Sequence, residues 1–365
     1  MEYLQSVYEK IFGADEPSDA AQICYDTPRK VVCFGNVLLD RTVKLEEPEL
    51  LQRYDLKLGS KGEMDLEQLN KIAADAANGS SCLINPGGSA LNTVRILKQL
   101  GTDAQFFGSI GSDKHGEELR SLLLERGIEA RLQVVDDVHT GQCVCLMYND
   151  SPTLYANIGA SAHFSVQELK RAALHDTQSF LRPIERKQIL YVEGFFVPYR
   201  KEVCDYILLH LVRERRYLAL NLSAPYIVRQ HPEDMLQLAR RAMFIFGNRQ
   251  EFQELAEVAG CETVEKLARQ LLELGQPKIL LITNGDAGVQ LATNYVAERA
   301  PPGDLRFEDF RAQRAEQLVD ATGAGDAFAA GFLHAWLEKR SLTECVRLAS
   351  NIASKVVTQV GCNLP

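Results

Sequence analysis

The sequence has no unbroken run of about 18 apolar residues, so it offers nothing that would span a bilayer as a helix. It also lacks a charged-then-apolar leader. The opening MEYLQSVYEKIFGADEPSD mixes acids with apolar residues, and a cytosolic address, with the nucleus open as a second, is the expectation. Positive charge is in deficit: 40 Lys and Arg against 49 Asp and Glu give a net charge of -9. A surface of that sign repels a polyanion, which argues against general nucleic-acid binding but not against a local anion site built from backbone amides. Close cysteine pairs are missing as well. The nine cysteines are scattered, and Cys143 and Cys145 sit too near each other for a zinc knuckle or a C-x-x-C redox pair, so reduced and mostly buried thiols are expected. No Walker lysine motif and no G-x-G-x-x-G occurs, which removes the sequence support for the P-loop and dinucleotide folds.

What is present is an alternation. Short apolar runs ending in Gly, Asn or Pro recur at 31–39, 104–111, 189–196, 217–225, 242–248 and 278–285, and they read as buried strands. Stretches with helical spacing lie between them, among them 89–101, 114–127, 201–216 and 262–275. Strand and helix alternating in this way imply an α/β fold with a mostly parallel sheet covered on both faces. Ligands of such sheets sit beyond the carboxyl ends of the strands, which singles out Asn36, Asp40, Glu193, Asn221, Asn248 and Asn284. Residues 41–86 and 131–160 break the pattern with shorter β-like pieces and are expected to form a small β-rich lid. The large domain would then be 29–40, 87–130 and 161–365, with 1–28 as an extension outside the core.

The chemistry concentrates at Asp320-Ala-Thr-Gly-Ala-Gly-Asp326, where a glycine-rich turn gives way to a helical run of small residues. Glycines let backbone amides approach a ligand, and a helix N-terminus adds about half a positive charge, which together make an anion hole. Asp326 falls on the first helical turn, where a base must stand to take a proton from an attacking hydroxyl. Taken alone, Gly-Ala-Gly-Asp could simply start a helix, with Asp as its cap. Upstream, Gly87-Gly88-Ser89-Ala90-Leu91-Asn92 precedes another helix, with Ser89 as the candidate N-cap.

In that order, the two segments resemble the second and first signatures of the ribokinase-like, phosphofructokinase-B type family of carbohydrate and nucleoside kinases. The resemblance implies a ribokinase-like three-layer sandwich with a lid, an Asp326 base, and amides of Gly323, Ala324 and Gly325 around the transferring phosphoryl group. It narrows at Gly35-Asn-Val-Leu-Leu-Asp40, at the block from Phe106, at Thr140-Gly-Gln-Cys143, Gly194-Phe-Phe196, Asn221-Leu-Ser-Ala-Pro225, Phe246-Gly-Asn248 and Gly361-Cys362, which together look like the adenosine kinases of that family. By that resemblance Asp40 would grip the ribose 2′ and 3′ hydroxyls, since one carboxylate accepts from two vicinal donors. Asn36, Gly88, Ser89 and Asn92 would stand beside it, and Leu38, Cys143 and Phe195 would line a purine slot. ATP would meet Asn248, Thr283, Gly285 and Thr322. Asn248-Arg-Gln-Glu251 resembles the family's N-x-x-E element, whose Glu251 would hold Mg2+ through water, and Asp320 would shape a K+ site. Small-molecule substrates and a monomer are the implied partners and state.

Two departures stand out. Where these kinases commonly carry a lid Arg that reaches the phosphate, this chain has Tyr148-Asn-Asp-Ser-Pro-Thr153, with Pro152 at the expected place. Arg41 is the neighbour that could supply the charge. The segment Lys57-Leu-Gly-Ser-Lys-Gly62 also departs from the residues usual near the base.

Overall fold

A computed structural model describes residues 30–78, 81–149, 151–182, 188–213, 216–298 and 300–365; the expected extension at 1–28 lies outside them. Its strands are β1 (Lys30–Phe34), β2 (Leu38–Lys44), β3 (Lys61–Glu63), β4 (Cys82–Gly87), β5 (Asp103–Gly111), β6 (Glu129–Val135), β7 (Gln142–Tyr148), β8 (Ser151–Asn157), β9 (Gln188–Glu193), β10 (Arg216–Asn221), β11 (Phe244–Asn248), β12 (Ile279–Thr283), β13 (Val289–Thr293) and β14 (Arg306–Phe310). A nine-stranded sheet runs β14-β13-β12-β11-β10-β9-β1-β5-β6, and all its pairings are parallel except those of β13 and β14. A second sheet of five strands runs β3-β8-β7-β2-β4.

Both faces of the large sheet are covered, which is why its central strands are apolar throughout. Val31, Cys33, Ile189, Tyr191, Phe244 and Leu281 point into one core, packed on the helices Ser89–Gln99, Ala324–Leu337 and Leu342–Val356. Val32, Phe34, Leu190, Val192, Ile245 and Leu280 alternate into the other, beneath Pro232–Arg241, Arg249–Val258 and Val264–Leu272. The small sheet is covered on one face by the helix Leu66–Ala77, through Leu69, Ile72 and Ala76 against Val43, Val144 and Leu146.

Two differences from the sequence reading position the site. The run 31–39 is not one strand: β1 ends at Phe34, and after Gly35-Asn36-Val37 the chain enters β2 of the other sheet. Segment 131–135 does not join the lid, because β6 pairs in parallel with β5 at the edge of the large sheet, and the second lid segment begins at β7. The hinge at 35–37 is pinned by Ser161, whose hydroxyl accepts from the Val37 amide at 3.1 Å and donates to the Val37 carbonyl at 2.7 Å.

Candidate active site

Between the two sheets lies a cavity of about 310 Å³, at the small end of the range for small-molecule sites. Asn36, Leu38, Asp40, Gly88, Ser89, Asn92, Cys143, Phe195, Asn248, Glu251, Thr283, Thr322, Gly323, Ala324, Gly325 and Asp326 all line it. Gly285 and Asp320 do not. Of the strand-end residues, Glu193 and Asn221 join the wall and Asn284 stays outside.

At one end stands the turn before the helix Ala324–Leu337. Gly323 is its N-cap, with φ 77°, and a Cβ there would lie 2.5 Å from the Cβ of Cys362. Glycine is therefore required twice over, by backbone conformation and by the close approach of the chain's end. Asp320, buried, ties the turn down: its Oδ1 accepts from the Thr322 amide at 2.7 Å and its Oδ2 from the Gly361 amide at 2.8 Å. The Ala324 amide donates to the Ala321 carbonyl at 3.3 Å. The amides of Gly323 and Gly325 donate to no other described residue, and Gly325 faces open space. Thr322 Oγ1 is buried without a hydrogen-bond partner. Gly323→Ala should cost about 1 to 3 kcal/mol, read as a lowered urea midpoint, and should abolish any anion binding at the turn.

Asp326 is held by the other signature. Ser89 Oγ donates to its Oδ1 at 2.6 Å and Asn92 Nδ2 to its Oδ2 at 3.0 Å. Ser89 is thus not the N-cap that its position suggests. Gly88 is the N-cap, at φ 116°, where a Cβ would meet the Asn36 carbonyl oxygen at 2.0 Å, and Ser89 on the next residue is free to hold the base. Burial pushes the Asp326 carboxyl up to about 6, against the pull of the two hydrogen bonds and of Lys61 and Arg95.

Asp40 lies across the cavity on β2. Its Oδ1 is buried and has no hydrogen-bond partner, and burial, with Asp326 adding its field, raises the carboxyl to about 7 despite Arg95. An unpaired buried carboxylate oxygen on a cavity wall is a strong acceptor waiting for a donor. Beside it, Asn36 is anchored at both ends of its amide: its Nδ2 donates to the Phe195 carbonyl at 3.0 Å, and its Oδ1 accepts from Arg200 at 2.6 Å. The buried Arg200 also donates to the carbonyls of Phe196, Ser161 and Phe195. Glu193, raised to about 7 by burial, accepts from the amides of Asn36 and Ala90, joining the hinge to the helix that carries Ser89. Arg200→Met should destabilise the fold by about 3 kcal/mol in urea titration, because it takes the guanidinium donor from the buried Asn36 Oδ1 and Phe196 carbonyl.

The apolar wall is formed by Leu38, Cys143 and Phe195, with the Phe195 ring 6.3 Å from that of Tyr226. Burial raises the Cys143 thiol well above its ordinary range, so it acts as a small neutral surface. At the far end, Asn248 caps the helix Arg249–Val258 in a capping box with Glu251, whose Oε2 accepts from the Asn248 amide and Oε1 from Asn248 Nδ2, both at 2.8 Å. Each carboxylate oxygen keeps a lone pair, and Glu251 lines the cavity. No cluster of three metal-ligating side chains exists among the described residues. That donor set fits a cation that keeps its water and is held through one carboxylate, not an all-protein cage.

A family model described as pfkB family carbohydrate kinase matches residues 56–365. The chain belongs to that family.

Among relatives of this pfkB kinase, adenosine kinase 2 of Arabidopsis thaliana is 26% identical over 342 residues, 91% of this chain and 94% of that protein. Among solved structures, the adenosine kinase of Anopheles gambiae in complex with P1,P4-di(adenosine-5) tetraphosphate superposes with a TM-score of 0.75 at 25% identity, covering 93% of this chain and 99% of that one. The adenosine kinase of Schistosoma mansoni in complex with 2-fluoroadenosine reaches a TM-score of 0.78 at 21% identity, over 92% and 97%, a likeness of fold.

Sequence reasoning about this pfkB kinase overlooked Tyr226, Glu63, Leu154 and Lys61 as cavity residues. The segment around Lys61 was visible only as a departure from the family's pattern, and nothing local says that β3 pairs with β8 and so faces the cavity. Arg41 turns elsewhere: its guanidinium donates to Gln142 Oε1 and lies 3.2 Å from His115 Nε2, and it is no part of the cavity wall. No helix among the described residues is long and apolar enough to cross a membrane.

Proposed function

We propose that this kinase transfers the terminal phosphoryl group of ATP to the 5′-hydroxyl of adenosine, giving AMP and ADP. The observation that carries the reading is the union, in one cavity, of an unsatisfied carboxylate (Asp40), an apolar slot with two aromatic rings, and a buried carboxylate (Asp326) at an open amide turn. The named relatives, adenosine kinases over nearly their whole length, support it.

Asp40 accepts from the vicinal ribose hydroxyls, and the base lies between Leu38, Cys143 and Phe195. This directs the 5′-oxygen at Asp326, which takes its proton as that oxygen attacks the terminal phosphorus and ADP leaves. The open amides of Gly323 and Gly325 take the charge that builds on the phosphoryl oxygens. Asn248, Thr283 and Thr322 border the nucleotide. Glu251 is the residue that would hold magnesium through water, and the ion, when bound, would neutralise triphosphate charge. A potassium ion would stand beside the turn that Asp320 ties down. Free thiols, most of them buried among the described residues, suit a cytoplasmic place of work.

The test is ATP-dependent AMP formation from adenosine with magnesium and potassium present, beside guanosine, inosine, ribose and fructose. Adenosine is expected to exceed each alternative by at least about tenfold; turnover on another acceptor alone would retarget the kinase, and none at all would make it a binding protein. Because Asp326 must be ionised to accept the proton and titrates at about 6, kcat/KM for adenosine should fall as pH drops through that value, as a pH–rate profile would record.

A further inference from the structure

The described cavity wall presents five carboxylates, those of Asp40, Glu63, Glu193, Glu251 and Asp326, and a single cationic side chain, that of Lys61. A site of that composition must take a polyanion if it binds a triphosphate. Of the other nearby cations, Arg95 donates to the Pro86 carbonyl and to Asn363, Arg200 to three carbonyls and Asn36, and Arg41 to Gln142, and none of the three lines the cavity. The Lys61 ammonium makes neither a hydrogen bond nor an ion pair among the described residues.

Its backbone is nonetheless well placed. Lys61 opens β3, the edge strand of the small sheet, in register with Leu154 of β8, and the Leu154 amide donates to the Ser60 carbonyl at 3.0 Å. That pairing sets Lys61 beside Leu154, and the two line the cavity together with Pro152, two residues earlier on β8. Its charge also pulls down the carboxyls of Asp326 and Glu251 together, so it acts on the region between the base and the capping-box acid.

We propose that Lys61 is a catalytic residue, the lid cation that meets the transferring phosphoryl group, in place of the arginine whose position is held by Pro152. An ammonium carries three donors on a flexible stem and binds phosphate as a point charge. A cation at a phosphoryl centre stabilises the spread negative charge of the transition state and can be worth several orders of magnitude in rate. With no partner among the described residues, the side chain can swing onto the terminal phosphate as nucleotide enters, and no proton needs to move.

The inference rests on the phosphoryl-transfer reading, so its test has two arms. Lys61→Gln should lower kcat for adenosine by about 10²-fold or more with KM for adenosine changed less than about threefold, while Lys61→Arg retains most of the rate. In the second arm, a non-hydrolysable ATP analogue and ADP are titrated separately; Lys61→Gln should weaken the analogue by about tenfold and leave ADP unchanged. If the wild type turns over adenosine and Lys61→Gln matches it, Lys61 is overturned and the kinase reading stands. If the wild type turns over nothing, the kinase reading fails, and Lys61 is judged by the second arm, where equal loss or no loss on both nucleotides overturns it. An unchanged melting temperature, expected for an exposed side chain on an edge strand, separates these results from misfolding.

Discussion

Asp326→Asn is expected to reduce turnover by about 10²-fold or more while leaving nucleoside affinity nearly intact, and its stability relative to the wild type should improve as pH rises. The first part follows from its place as the base. The second follows from its burial. The carboxyl is pushed from its ordinary 3.8 to about 6, so the folded protein binds that proton more tightly than the unfolded chain does. A group of this kind contributes stability that is fully present below the unfolded value and is lost as pH rises through about 6. At about pH 8 the ionised, desolvated carboxylate therefore costs the fold about 3 kcal/mol. The amide carries no such charge, and although it offers only one acceptor to the two donors of Ser89 and Asn92, that loss does not vary with pH. Thermal scans should therefore show the variant gaining on the wild type between about pH 4 and about pH 8. A variant with near-normal turnover would remove Asp326 from its role as base, and a stability difference independent of pH would remove its raised carboxyl.

Asp40→Ala should weaken nucleoside binding by about 10²-fold or more, since two hydrogen bonds to a charged acceptor are lost at about 1.5 to 3 kcal/mol each. The turnover of a fully saturated enzyme should fall far less, which distinguishes a binding carboxylate from a base. Asp40 also makes a calorimetric prediction. Its carboxyl titrates at about 7, raised first by burial, with one oxygen lacking any donor among the described residues. Ribose hydroxyls favour the ionised form, so adenosine binding near neutral pH should release protons, seen as a binding enthalpy that varies with the ionisation enthalpy of the buffer. The release should vanish in Asp40→Asn. A wild-type enthalpy independent of buffer would place the sugar elsewhere.

Much of this was legible in the order of residues. The alternation of apolar runs and helical stretches is a local signal repeated along the chain, and both glycine-rich turns announce themselves, because few other sequences let a backbone approach a ligand and then open a helix. The family, the α/β class and the candidacy of Asp326, Asp40 and Glu251 could therefore be read before any coordinates. Three things could not. The apolar run 31–39 reads as one strand, but it is divided between two sheets at Gly35-Asn36-Val37, and that division opens the cavity. Ser89 reads as a helix cap, yet its hydroxyl reaches Asp326, 237 residues away in sequence. Arg41 is the one candidate that the sequence offers for the missing lid charge, and Lys61 goes unnoticed until β2 and β3 are placed; β2 commits Arg41 to Gln142, and β3 sets Lys61 on the cavity wall with no side-chain partner among the described residues.

Periodicity, turn chemistry and residue type are properties of neighbours in the chain, so the sequence by itself determined the elements and the kinds of group available for catalysis. Which carboxylate is starved of donors, which cation is free among the described residues and which two signatures are joined by hydrogen bonds depend on contacts between distant segments, and only the tertiary packing decided those.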